Sequence, residues 1–256
     1  MIRFALREDF FDIINLWNTV FGDSKQVIES YLERFFDRVL LFYEDDTLAG
    51  MLSLLPISTG KETGFYVYAV ATDERFRSKG IATKLIEHSK KLCVEDKFLI
   101  LVPASESLFE FYKKFDFYEI ACLEKNIVTT NIEDDILPLS LISSTELLIM
   151  RKECFKNINF FEWDIDVLNL MHDCFGYKFL KFDDDLGFAV CEIFKNTVNV
   201  KELCCRKEHR QAALSSICKY FNCSLYSFTI PAKTNIASAM IWGKHFKSPY
   251  FNLALD

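Results

Sequence analysis

The sequence predicts an α/β (α+β) fold, a mixed sheet with helices on its faces, followed by a second, smaller α/β unit. Three observations carry this. Short β-branched and aromatic runs alternate with amphipathic stretches of helical period through the first half. A polar, acidic stretch, "TTNIEDDILPLSLISS" (129–144), then interrupts the chain and holds the single proline between Pro103 and Pro231. Beyond it, "VKELCCRKEHRQAALSSICKYFNCSLYSFTIP" echoes the earlier "YAVATDERFRSKGIATKLIEHSKKLCVEDKFLILVP". Each reads strand, basic loop, helix, strand, proline, a weak internal repeat. The expected partition is therefore 1–128, a linker at 129–144, and 145–256.

Each element has its own signal. "MIRFALR" reads as a short strand. "EDFFDIINLWNTVFG" reads as a helix with Phe10, Ile13, Ile14, Trp17 and Phe21 on one stripe and Gly22 as its stop. "DSKQVIESYLERFF" is a second helix capped by Asp23 or Ser24. "VLLFYEDDTLAGMLSLLPI" gives two strands around the turn "EDDT", and "GFYVYAVAT" gives another. "KFLILVP" is a buried strand, "ESLFEFYKKF" a helix and "DFYEIACLEKNI" a strand. The second half begins with two helical stretches, "TELLIMRKECF" and "DIDVLNLMHDCFG". Strands follow in "YKFLKFDDDLGFAVCEIF" and "TVNVKELCC", a helix in "HRQAALSSICKYF" and a strand in "CSLYSFTIP".

At 256 residues and 50% hydrophobic content the chain can bury a sizeable core. Its net charge of -7 argues against nucleic-acid or anionic-membrane partners and favours a cationic substrate. No apolar run is long enough to span a bilayer, and "MIRFALREDF" lacks the apolar core of an export signal, so a cytoplasmic location is expected. Nine cysteines, an odd number without a CxxC pair, include the adjacent thiols of "LCC"; they read as reduced thiols serving as small core hydrophobes. The four histidines are scattered, and no metal site is expected.

The stretch "ERFRSKGIATKLIEHS" (Glu74 to Ser89) carries the chemistry. Basic residues crowd a loop after a strand, and a helix starts near Gly80 and buries Ile81, Ala82, Leu85, Ile86, Ser89 and Leu92. The first turn of such a helix has unpaired N–H groups at its positive dipole end, and a glycine lets an oxygen approach them. The loop is neither a Walker A nor a Rossmann turn. On spacing alone, an anion site and a solvated basic loop both remain open.

The residues Arg77, Gly80 and Ala82 in "VATDERFRSKGIATKLIEHS" resemble the acyl-CoA signature Arg/Gln-x-x-Gly-x-Gly/Ala of the GCN5-related N-acetyltransferases (GNAT). "LILVPASESLFEFYKKFDF" resembles that family's second motif, with Asp116 where glycine is usual. The resemblance implies a mixed, mostly antiparallel sheet with acetyl-CoA as co-substrate and no metal. It implies that Arg77, Ser78, Lys79, Gly80, Ile81, Ala82 and Thr83 hold the CoA pyrophosphate, while Val70, Ala71 and Thr72 pair with the pantetheine arm. Tyr112 would protonate the leaving thiolate, and the N–H of Val70 would meet the thioester oxyanion. Many members carry a glutamate near the position of Tyr66. Here "YVY" (Tyr66 to Tyr68) has no carboxylate, so water or another segment must remove the amine proton.

The apolar finish "SPYFNLALD" resembles the C-termini of Eis-like acetyltransferases, which would bring the α-carboxylate of Asp256 to the transfer centre; plain strand pairing is the competing reading. Trp17, Phe21, Tyr66 and Tyr68 are candidates to line an acceptor pocket. The second half lacks the glycine: Ala212 falls near its place, so this half reads as a degenerate GNAT-like unit forming one wall of that pocket, with Glu202 and Arg206 to Arg210 as polar surface or rim. The expected activity is acetyl transfer to a primary amine. The alternatives are a non-catalytic acyl-CoA-binding regulatory module and an interaction scaffold whose loop is merely solvated.

Overall fold

The first helices form where hydrophobic period and caps agree. α1 (Phe10–Phe21) stops at Gly22, whose φ of 77° is left-handed, and α2 (Lys25–Phe35) starts under the Ser24 side chain, which accepts the Val27 N–H. Ile13, Ile14, Leu16 and Trp17 are buried, whereas Phe21, expected on the stripe, is exposed. β1 (Ile2–Phe4), β2 (Val39–Glu44), β3 (Thr47–Thr59) and β4 (Glu62–Thr72) form an antiparallel run. The β2–β3 turn puts Asp45 and Asp46 at positive φ, as a two-residue hairpin requires. α3 (Ile81–Leu92), β5 (Phe98–Leu101), α4 (Glu106–Lys113) and β6 (Tyr118–Thr129) follow. This computed structural model describes residues 1–60, 62–93, 97–129, 136–183, 186–194, 197–223, 225–231, 237–246, 249–251, 253 and 255.

The second half contains β7 (Leu139–Leu141), α5 (Ser144–Phe155), β8 (Glu162–Trp163), α6 (Ile165–Asp173), β9 (Tyr177–Phe182), β10 (Gly187–Phe194), β11 (Thr197–Cys205), α7 (Arg210–Phe221), β12 (Leu225–Pro231) and β13 (Ala237–Trp242). Its strands continue the first sheet in the order β1-β2-β3-β4-β5-β13-β6-β12-β11-β10-β9-β7, with β8 on β3. Only β4–β5 and β11–β12 pair in parallel among these strands; the fold is mixed and mostly antiparallel. β6 belongs to both halves, pairing with β13 along its first part and with β12 along its second. β13, distant in sequence, fills the slot between β5 and β6, so the first sheet is completed by residues from the far side of the 129–144 stretch.

The repeat is visible in the geometry. β9, β10, β11, α7 and β12 follow β2, β3, β4, α3 and β5 in order. Each set closes on a short parallel pair, and each has a register shift in the preceding hairpin, between Met51 and Ser53 in one and between Val190 and Cys191 in the other. Alternating side chains of the first sheet feed two cores. Leu40, Leu52, Val67 and Leu99 pack under α3 and α4; Leu41, Met51, Tyr66 and Ile100 pack under α1 and α2. The second of these cores also holds Phe161, Trp163, Phe251, Leu253 and Leu255, so both halves share it. Among the described residues no helix is long and apolar enough to cross a membrane.

Candidate active site

β4 and β5 pair over Gly64↔Phe98, Phe65↔Leu99 and Tyr66↔Ile100 and then part. Gly64 is the close-approach point, since a side chain there would collide with the Phe98 carbonyl and ring. Past the last rung β4 carries a bulge: Tyr68 faces Ser53 and Ala71 faces Met51, so Ala69 and Val70 together oppose Leu52. Ala69 is at a left-handed φ of 50°. Val70 thus lies outside the β3 ladder and beyond the β5 rungs, on the edge of an open fork. Ala71 is buried opposite Met51, and Thr72 pairs with Gly50.

The loop at the end of β4 delivers α3 to this fork. Gly80 is the N-cap residue at φ 75° and ψ 19°, no side chain caps the helix, and the first backbone bond is Lys84 N–H to Gly80 O. The first-turn amides of Ile81, Ala82 and Thr83 are left for a ligand. Nothing lies within 4 Å of where a Gly80 side chain would point. Arg77, Ser78, Lys79 and Gly80 are exposed, and neither Arg77 nor Lys79 forms an ion pair among the described residues. Arg75, by contrast, is held by Asp73 at 2.8 Å. This cradle fits a pyrophosphate: bare backbone donors, a helix N-terminus and two available cations. Its close seat depends on Gly50, where a Cβ would come 2.6 Å from Ile81 Cγ2. Gly50 carries its own local signal, a glycine inside the strand pattern "LAGML", which marks a close approach.

Tyr112, on α4, is buried beside Phe111 and Phe117, and Val70 packs against the same cluster. Burial pushes the Tyr112 hydroxyl up to about 12, so it stays protonated at neutral pH, and it makes no hydrogen bond among the described residues. Asp116 follows α4 at a left-handed φ of 58°, the conformation glycine would adopt freely.

The opposite face of the fork is aromatic. Trp17 lies 6.0 Å from Phe21, 4.8 Å from Tyr31 and 5.9 Å from Tyr68 between ring centroids, and Tyr68 stacks on Tyr66 at 6.2 Å. These residues do come together, but Trp17 and Tyr66 are almost fully buried; only Phe21 and Tyr68 retain appreciable exposure. Tyr66, at the last rung of the fork, donates its hydroxyl to the Leu255 carbonyl at 2.8 Å, and Trp163 Nε1 donates to the Leu253 carbonyl at 2.8 Å. The apolar C-terminal stretch therefore enters the core beside the fork. Asp256 itself lies outside the described residues.

Among the described residues the second half offers no comparable cradle. Ala212 is buried within α7, whose N-cap is His209 in ordinary helical geometry. The expectation that Glu202 is surface or rim is corrected. Glu202 is fully buried and accepts from Arg151 Nε at 2.8 Å and Nη2 at 3.2 Å, because the side chains of β11 that face α5 point into the shared interior. Among the described residues, no cluster of three or more His, Cys, Asp or Glu could hold a metal ion.

Residues 1–121 match the family model described as an acetyltransferase (GNAT) domain. No curated protein matches the chain. Among solved structures, a GCN5-related N-acetyltransferase from Anabaena variabilis is similar at TM-score 0.73 and 15% identity, covering 94% of this chain and 72% of that one. A GCN5-related N-acetyltransferase from Kribbella flavida gives TM-score 0.73 and 11% identity over 94% and 70% of the two chains. Eis1 from Mycobacterium abscessus gives 0.63 and 10% over 94% and 73%. At these identities the structures speak to the fold, which they share over nearly the whole chain, second half included. Together with the fork, the bulge and the open helix start, the match identifies residues 1–121 as a GNAT acetyltransferase domain.

Proposed function

We propose that the chain is an N-acetyltransferase that moves acetyl from acetyl-CoA to a primary amine, of a small molecule or a peptide, by direct attack in a ternary complex. The observation that carries this is the fork that opens past Tyr66↔Ile100, with the uncapped first turn at Gly80 beside it. In this reading Arg77 to Thr83 hold the pyrophosphate and Val70 to Thr72 line the pantetheine arm. The Val70 N–H stabilises the oxyanion formed when the amine attacks, and Tyr112 gives its proton to the departing thiolate. Tyr112 serves the fork from the α3–α4 face. The aromatic face opposite receives the amine, and the net charge of -7 favours a cationic one. Burial of Leu255 against Tyr66 supports giving the base role to a carboxylate of Asp256.

The test is release of CoA thiol from acetyl-CoA with a panel of polyamines, aminoglycosides and peptides. Turnover with at least one amine is expected. Tyr112→Phe should lower kcat about 100-fold while acetyl-CoA still raises the melting temperature. Acetyl-CoA binding without thiol release for any amine would sink the enzymatic reading in favour of a binding module.

A further inference from the structure

Arg151 and Glu202 form a buried ion pair that acetyl transfer, as described above, does not use. Their side chains are 2% and 0% exposed, and the guanidinium meets the carboxylate through Nε and Nη2. Arg151 Nη1 is buried without a hydrogen-bond partner. Burial pushes the guanidinium down, while Glu202, with Tyr250 and Glu162, lifts it back above its ordinary value, so it stays charged. A buried pair with one donor unsatisfied is a poor source of stability, because desolvating two charges offsets most of their attraction and apolar residues of like volume usually serve as well. Something other than core filling requires an arginine at this place.

Among the described residues its remaining hydrogen bond is to a backbone carbonyl. Arg151 Nη2 also donates to the Phe161 carbonyl at 3.3 Å. The Phe161 N–H donates to the Tyr250 carbonyl at 3.1 Å, and the Tyr250 N–H to the Asn159 carbonyl at 2.7 Å. Two residues on, Trp163 pairs with Ile57 of β3 and holds Leu253; Leu255 then reaches Tyr66 at the fork. The 159–163 segment is thus a rail on which the C-terminal stretch is mounted, and Arg151 grips the rail at its middle. Arg151 also lies over the rings of Phe155 and Phe160, and Tyr250 packs on Phe155.

We propose that the Arg151–Glu202 pair is a positioning device that sets the 159–163 segment, and through it Tyr250, Phe251, Leu253 and Leu255, against the acyl-transfer fork. The inference rests on the acetyltransferase reading above. It assigns to the degenerate half a task in the reaction: its buried pair registers the segment that closes the fork from the side opposite Tyr112.

The experiment compares the full chain with Arg151→Met/Glu202→Leu, which removes both charges while conserving bulk, and with Arg151→Lys, which keeps the charge but loses the planar fork. Readouts are melting temperature, amide hydrogen exchange of Tyr250, Phe251, Leu253 and Leu255, and the split between kcat and KM for acetyl-CoA. Expected for the double variant are an unchanged or higher melting temperature, exchange at those amides at least about tenfold faster, kcat down about tenfold or more, and KM for acetyl-CoA within about twofold. Arg151→Lys should show the same loosening and the same fall in kcat, and it decides the matter if the double variant does not fold. Unchanged exchange overturns the proposal, as does loosened exchange with unchanged kcat. If the parent chain releases no CoA with any amine, the functional reading fails, and the exchange arm still decides whether the pair grips the rail.

Discussion

Gly80 and Gly22 make a matched pair that separates backbone strain from ligand binding. Both are left-handed, at φ 75° and 77°, and both have nothing within 4 Å of where a Cβ would stand. Alanine at either position pays the left-handed penalty alone, about 1 kcal/mol, which lowers the melting temperature of a chain this size by roughly 2–4 °C. Only at Gly80 does the new methyl sit beside the bare first-turn amides of α3, where the pyrophosphate is proposed to dock. Pushing the anion off one charge-assisted N–H contact costs ~1.5–3 kcal/mol, so KM for acetyl-CoA should rise about 10- to 100-fold with kcat largely retained. The assays are thermal denaturation without ligand and steady-state CoA release. Gly80→Ala and Gly22→Ala should be equally destabilised, and only Gly80→Ala should lose affinity. Equal KM values in the two variants would refute the assignment of the loop as the pyrophosphate cradle.

Two further outcomes concern stability. Asp9 accepts from both Arg3 nitrogens at 2.6 and 2.8 Å, from the Leu6 N–H and from the Tyr43 hydroxyl, and the Arg3 guanidinium foremost holds its carboxyl down to about 2. Its folded pKa lies below the unfolded one, so its contribution, ~2 kcal/mol, is complete above about pH 4 and is lost as pH falls toward 2. Asp9→Asn should remove it at neutral pH and flatten that part of the acid-denaturation curve; an unchanged acid limb would contradict this. Asp116→Gly should raise stability by ~0.5–1 kcal/mol in denaturant unfolding, because glycine adopts the φ of 58° freely. A loss of stability would show that the Asp116 side chain, 3.8 Å from Lys90, matters more than its backbone strain.

The part of the fold and site that is written locally was legible in the sequence. Hydrophobic period and caps located α1, α2 and α3, and Gly80 marked the helix start because an uncapped, left-handed glycine before an amphipathic run is a local event. Acidic residues at a hairpin turn and the repeated strand–helix–strand pattern are of the same kind. What the tertiary structure alone decided depends on residues far apart in sequence. No local pattern says that residues 237–242 fill the slot between β5 and β6, since strand pairing is chosen by which edges and faces remain to be covered. Nor does local sequence say that the β4 bulge frees Val70, because a bulge is a mismatch between two strands. Glu202 read as surface because charge in a strand usually faces water; only the arrival of Arg151 from α5 makes its burial tolerable. Tyr66 read as a missing base, and the structure gave its hydroxyl to Leu255. The sequence by itself determined which segments could become the proposed anion cradle and the core stripes. Packing across the two halves determined what closes over them, because burial energy is shared among surfaces that meet only once the chain is folded.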